Sequence, residues 1–255
     1  MGNIGDPIKI GTANGLLGWI MFDQGDYQTA RAYLAAAKQN DIAMGAEWAL
    51  AMTIANQGSM EARLGEFEQA HILLQEALAR HRRIGDVAMI ASMLHRQSWA
   101  FIMQNRFEEA TDLLAQSYDI CQEIQSDGLF ADFYRLSALI ALHRSEYHRA
   151  NQLLREALLI RQKIGTPRYM LEVLEATIQI AVGQDDLYKG LVLAGAINIY
   201  RQKLQLVTPP VEKKLLEDAI ALARRQLTPE AATTAWATGA AMTLDEAMAY
   251  ALAEE

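Results

Sequence analysis

The sequence predicts an all-α fold: about five stacked helical hairpins wound as a right-handed superhelix, followed by a C-terminal helical cap. Three observations carry this. A six-residue signature recurs every 40 residues, as Gly25-Asp26-Tyr27-Gln28-Thr29-Ala30, Gly65-Glu66-Phe67-Glu68-Gln69-Ala70, Asn105-Arg106-Phe107-Glu108-Glu109-Ala110 and Ser145-Glu146-Tyr147-His148-Arg149-Ala150. A period of this length marks supersecondary units that stack to bury one another's apolar faces. Gly18, Gly58, Ser98 and Ala138 precede the signatures, while Leu34, Leu74, Leu114 and Leu154 follow them, each with a small residue three further on. Small side chains let two antiparallel helices approach, and the aromatic and the leucine fill the remaining gap. The prolines, at 7, 167, 209, 210 and 229, avoid the interiors of the repeat helices, where each would break a hydrogen bond.

Helix ends follow from capping chemistry. Asp41, Asp86, Asp127 and Thr166 each precede a long apolar-periodic run, Pro167 follows Thr166 as an N1 proline should, and Gly85, Gly128 and Gly165 mark connections. The first helices of the hairpins are expected over 12–24, 42–64, 87–104, 128–144 and 167–183. The second helices are expected over 26–40, 66–84, 106–125, 146–164 and 186–204. The fifth signature, Asp185-Asp186-Leu187-Tyr188-Lys189-Gly190, is degenerate, as terminal repeats commonly are. Thr208-Pro209-Pro210 then ends the array, with tail helices expected over 210–227, after Thr228-Pro229-Glu230, and after the capping box Thr243-Leu244-Asp245-Glu246. The organisation is therefore a disordered or expression-derived segment over 1–11, a repeat array over 12–204 and a helical cap over 205–255.

Composition narrows the function. A net charge of −8 argues against a nucleic-acid surface, because affinity for phosphate backbones comes from clustered lysine and arginine. The run Arg80-His81-Arg82-Arg83 ends a helix, where cations complement the dipole. No apolar stretch reads as a membrane span or signal peptide, and the lone Cys121 suits a buried position in a reducing compartment, so a cytoplasmic chain is expected. The histidines at 71, 81, 95, 143 and 148 include no one-turn pair, so neither a metal site nor any other cofactor is expected. No acid, base or nucleophile constellation points to catalysis.

The signature positions resemble the tetratricopeptide repeat, in a long-helix form, over residues 12 to about 204. Two positions depart: the tryptophan early in the first helix is replaced by Asn14, Ile54, Leu94 and Tyr134, and the closing proline by glycine-containing turns. The tail, with Leu193-Ala194-Gly195-Ala196, Pro209-Pro210, Ala235-Trp236-Ala237-Thr238-Gly239 and Met242-Thr243-Leu244-Asp245-Glu246-Ala247, is similar to the C-terminal end of bacterial STAND-type ATPase regulators of the large LuxR and maltose-activator kinds. The resemblance implies a sensor or scaffold portion of such a signalling or transcriptional regulator. No phosphate loop of the form Gly-x-x-x-x-Gly-Lys-Ser/Thr occurs, so ATP hydrolysis is not assigned to this chain.

In a right-handed stack of this kind the first helices line the concave side, and the register selects which residues face it. Trp19, Asn56, Arg63 and His95 come from the first three hairpins, with Arg96 and Trp99 beside them, and Arg135 and His143 from the fourth. Aromatic anchors among amide, imidazole and guanidinium heads suit a peptide, protein or small effector. The dicarboxylate clamp of chaperone-binding tetratricopeptide proteins is not reproduced, since only Asn56 and Arg96 match among Gly15, Trp19, Asn56, Ser92 and Arg96. The expectation is a non-enzymatic binding domain without a cofactor, membrane or direct nucleic-acid partner. The alternative is a stand-alone scaffold that mediates assembly or pairs with itself as a homodimer.

Overall fold

The computed structural model describes residues 7–253. Ten helices form five hairpins: α1 (Pro7–Asp23) with α2 (Tyr27–Ala43), α3 (Glu47–Leu64) with α4 (Phe67–Ile84), α5 (Val87–Met103) with α6 (Phe107–Ile124), α7 (Asp127–His143) with α8 (Tyr147–Ile164), and α9 (Pro167–Gly183) with α10 (Leu187–Lys203). The tail adds α11 (Pro210–Gln226), α12 (Pro229–Ala241) and α13 (Leu244–Leu252), and no strand occurs among the described residues. Residues 1–6 of the segment expected to be disordered or expression-derived lie outside the described residues. From Pro7 onward the chain is helical, ahead of the expected start at Thr12.

The turns repeat at half the expected interval. Gly25, Gly45, Gly65, Gly85, Asn105, Gln125, Ser145, Gly165, Asp185 and Gln205 all have positive φ, one in every 20 residues. A single left-handed residue follows each of α1–α10, and at eight of these ten turns the amide after it bonds back to a carbonyl of the last turn. Glu66 N–H donates to Glu61 O, Arg106 to Phe101 and Glu146 to Ala141, each at 2.9 Å. The turn within a hairpin and the turn between hairpins are therefore one device.

This device accounts for two boundaries that differ from expectation. Asp41 does not cap the third helix; α2 runs on to Ala43, and Asp41 is buried, accepting a 2.7 Å hydrogen bond from the Thr53 hydroxyl. The break falls at Gly45 instead, and α3 begins at Glu47. Gly128 lies in the first turn of α7, because Gln125 makes the left-handed turn and Ser126, rather than Asp127, is the N-cap. Asp86 caps as expected, accepting from Met89 N–H at 3.1 Å, and Thr243 and Glu246 form the expected capping box.

Within each hairpin the signature packs as its chemistry requires. Ala30, Ala70, Ala110 and Ala150 are fully buried. A Cβ on Gly18 or Gly58 would come within 2.8 Å of Leu34 or Leu74, so these glycines permit the closest approach of the paired helices. In the tail, α12 lies backbone to backbone on α10: a Cβ on Gly195 would meet the Trp236 carbonyl at 2.4 Å.

The tail does more than cover the last hairpin. Helices α12 and α13 pack on α10, and α13 also on α8 and α9, but α11 crosses the concave side to touch α3, α9 and α10. The array curls until its ends meet, with Val207 N–H bonded to Asp23 O at 2.7 Å and an Arg168–Asp23 ion pair joining α9 to α1.

Gly85 and Ser145 isolate the conformational part of the turn rule, since a Cβ on Gly85 (φ 78°) meets no atom within 4 Å and Ser145 (φ 57°) is exposed. Gly85→Ala is expected to destabilise by about 0.5–1 kcal/mol and Ser145→Gly to stabilise by about the same. Thermal or urea unfolding checks the signs, and shifts in the same direction for both would contradict the rule.

Candidate functional site

The concave side is built from one helical face repeated. Residues 19, 59 and 99 share a register, as do 12, 92, 132 and 172, so α1, α3, α5, α7 and α9 deliver side chains in rows. Closure of the ends turns this face into a cavity of about 300 Å³. Trp19, Arg63, His95, Arg96, Trp99 and Arg135 all line it, joined by Ser59, Ser92, Asp132, Arg168, Tyr169 and Glu172.

Two of the expected residues stand elsewhere. Asn56 acts from behind, accepting from Arg96 Nη1 at 3.2 Å. His143 stacks on Phe107, the aromatic of the third signature, with ring centroids 3.6 Å apart, because that ring covers the end of α7. Three cavity residues, Arg168, Tyr169 and Glu172, come from the degenerate fifth hairpin. Extending the register one repeat past Asp132 reaches Glu172; Arg168 and Tyr169 sit a turn earlier, where no row from the other hairpins leads.

Four arginines and two carboxylates are among the residues that line the cavity. Arg63 is the hub: its Nη2 reaches Glu172 at 2.8 Å, its Nη1 reaches Glu212 of α11 at 2.5 Å, and its guanidinium lies 5.4 Å from the Trp99 ring centre. Glu172 also faces Arg135 at 3.7 Å. Arg168 pairs with Asp23 and lies over Trp19 at 5.2 Å, while Arg161 pairs with Asp132 at 2.5 Å and lies over Tyr169 at 4.6 Å. Such cation–π contacts hold the rings in place. Arg96 differs, since its Nη1 donates to Ser59 Oγ at 2.8 Å, to Asn56 Oδ1 and to Ala55 O at 3.3 Å, all uncharged.

Protonation follows from burial and these neighbours. Burial alone would raise Glu172, but Arg63, Arg135 and Arg168 together hold it down at about 2. Glu212 is pushed up to about 7 by burial, reinforced by Glu175 and Glu172 against the single opposing charge of Arg63. His95, 4% exposed, is lowered by burial to about 4, so at neutral pH it is an uncharged imidazole hydrogen-bonded through Nε2 to the Ser117 hydroxyl at 2.9 Å. Burial also raises the Cys121 thiol to about 11, leaving it an apolar filler rather than a nucleophile. No group of three or more metal-ligating side chains occurs among the described residues, and no helix there is long and apolar enough to cross a membrane.

The family model described as Tetratricopeptide repeat matches residues 49–123, which covers most of the second and third hairpins. This match and the all-helical repeat solenoid agree, and repeats of this class generally mediate protein–protein interaction. Comparison with curated proteins gives no match.

The raised Glu212 sets a pH dependence. Its carboxyl, ordinarily near 4.5, holds its proton in the folded chain up to about 7, so its contribution to stability is fully present below pH 4.5 and is lost as pH rises through 7. Wild-type protein is expected to lose on the order of 2 kcal/mol more than Glu212→Gln between pH 5 and 8. Parallel melting curves across that range for the two proteins would contradict the assignment.

Proposed function

We propose that this chain is the non-enzymatic sensor and interaction domain of a bacterial signal-transduction or transcriptional regulator, and that a small effector seated in the concave cavity sets its state. The observation that carries the reading is the closure itself. With Arg168 tying α9 to Asp23 of α1, and α11 packed against α3 and α9 beside it, the concave side offers a partly open pocket of about 300 Å³ rather than a continuous trough for a long peptide. An effector would touch α1, α3, α5, α7 and α9 at once, and would therefore favour one curvature of the array over others. That difference in curvature is what an attached output domain or a partner on the outer faces could read. The similarity of the tail to STAND-type regulators supports the signalling context, and the repeat class supports a protein partner.

A second reading, a scaffold that assembles with itself, draws on Leu16 and Ile20. They lie one turn apart on α1 and are 61% and 48% exposed, large apolar side chains left uncovered among the described residues. A light-scattering mass of twice the monomer, lost in a Leu16→Glu/Ile20→Glu variant and indifferent to small molecules, favours that reading.

The effector reading is tested with a panel of small anions, sugars and dipeptides, using thermal shift and tryptophan emission. Trp19 and Trp99 border the cavity, so an effector is expected to change emission and raise the melting midpoint by several degrees. Ser92→Phe, which fills the chamber, is expected to abolish both effects. A compound that stabilises wild type and Ser92→Phe equally sinks the assignment.

A further inference from the structure

We propose that the effector is a small, flat anion, an aromatic or heteroaromatic carboxylate whose acid group is held by Arg96; this rests on the effector-cavity reading and names its ligand class. Every other guanidinium that lines the cavity already reaches a carboxyl group: Arg63 contacts Glu172 and Glu212, Arg135 shares Glu172, and Arg168 pairs with Asp23; Arg161, beside the cavity, pairs with Asp132. Arg96 has none. All three of its hydrogen bonds leave from Nη1 and end on neutral oxygens of α3, and among the described residues no carboxylate comes within ion-pair distance of it. The three contacts fix the plane of the guanidinium and leave its Nε and Nη2 donors uncommitted, the arrangement that receives a carboxylate in two parallel hydrogen bonds.

Desolvation adds to this demand. Burial lowers the pKa of Arg96, with Arg63 acting in the same direction, so the charge is held at a cost that an incoming anion relieves. An anion bound there meets Asp132 and Glu172, but both are engaged by arginines, so their charge is largely offset.

The rest of the chamber selects the body of the ligand. Trp19, Trp99 and Tyr169 form flat walls, each with a guanidinium over its ring, and Ser92 supplies a hydroxyl. A cavity of about 300 Å³ has room for one or two fused rings with an acid group. Flat apolar walls and an unmatched guanidinium fork together fit an aryl carboxylate better than a sugar, a cation or a bare inorganic ion.

The test is calorimetric titration of the full chain with benzoate, indole-3-carboxylate, their uncharged amides and inorganic phosphate. The aryl carboxylates are expected to bind at least tenfold more tightly than the amides and than inorganic phosphate. Arg96→Met is expected to weaken the acids at least thirtyfold and leave the amides within threefold, with Arg96→Lys in between because it keeps the charge and loses the fork. Circular dichroism confirms that each variant is folded, and Arg96→Lys serves if Arg96→Met is not. Amides that bind as well as acids, or acids unaffected by either folded variant, overturn the inference. Binding of a neutral sugar that Ser92→Phe blocks also overturns it while keeping the effector cavity; binding by no probe at all, carboxylate or neutral, overturns both.

Discussion

One guanidinium holds the closed form together. Arg63 is delivered by α3 to the point where α5, α9 and α11 converge, and it contacts all three: Glu172 by ion pair, Glu212 by a hydrogen bond to its carboxyl oxygen, and Trp99 through its ring face. A repeat array otherwise has only neighbour-to-neighbour contacts, so its curvature is soft. A buried ion pair adds little net stability compared with an apolar replacement, but removal of one partner strands a charge and costs about 3–5 kcal/mol. The consequence of Arg63 is therefore geometric. It makes one curvature much better than its neighbours, and in doing so converts an exposed helical face into a chamber.

That chamber inherits its chemistry from the closure. Arginines that would be solvated on an open concave face are brought near carboxylates from distant parts of the chain, Asp23 meeting Arg168 and Glu212 meeting Arg63. The resulting network leaves Glu172 firmly ionised and Glu212 near neutrality, two carboxyls sharing one arginine with opposite outcomes. Arg96 remains outside these pairings, because its neighbours on α3 are a carbonyl, an amide and a hydroxyl. Pairing elsewhere is what gives that one unmatched charge its selectivity.

The fold was legible in the sequence wherever spacing alone decides it. Alanine, leucine and glycine positions at 40-residue intervals name the hairpins, and each behaves in the structure as its size demands. The 20-residue interval of turns was harder to see because its left-handed residues include Asn105, Gln125, Ser145, Asp185 and Gln205, which carry no glycine signal. Asp41 misleads for a related reason: an aspartate before an apolar run looks like a cap, whereas here it is a buried acceptor for Thr53. At the cavity, register alone found Trp19, Arg63, His95, Arg96, Trp99 and Arg135. It could not find Glu212, which belongs to no repeat, nor foresee that α11 turns inward, since that depends on pairings between residues more than a hundred positions apart.

Closure is the claim on which the cavity, its charges and its ligand class all depend, and a disulfide reports it directly. A Cβ built on Gly25 stands 3.4 Å from the Cβ of Val207, close to the separation a disulfide requires; the left-handed φ of 83° at Gly25 costs a cysteine there about 1 kcal/mol with or without Arg63, so it does not bias the comparison, and the native Cys121 is buried. Gly25→Cys/Val207→Cys protein, mildly oxidised at low concentration, is expected to form the intramolecular bond nearly completely, and with markedly lower yield once Arg63→Ala is added. Negligible bond formation in the otherwise native background, or the same yield with and without Arg63, would contradict the account.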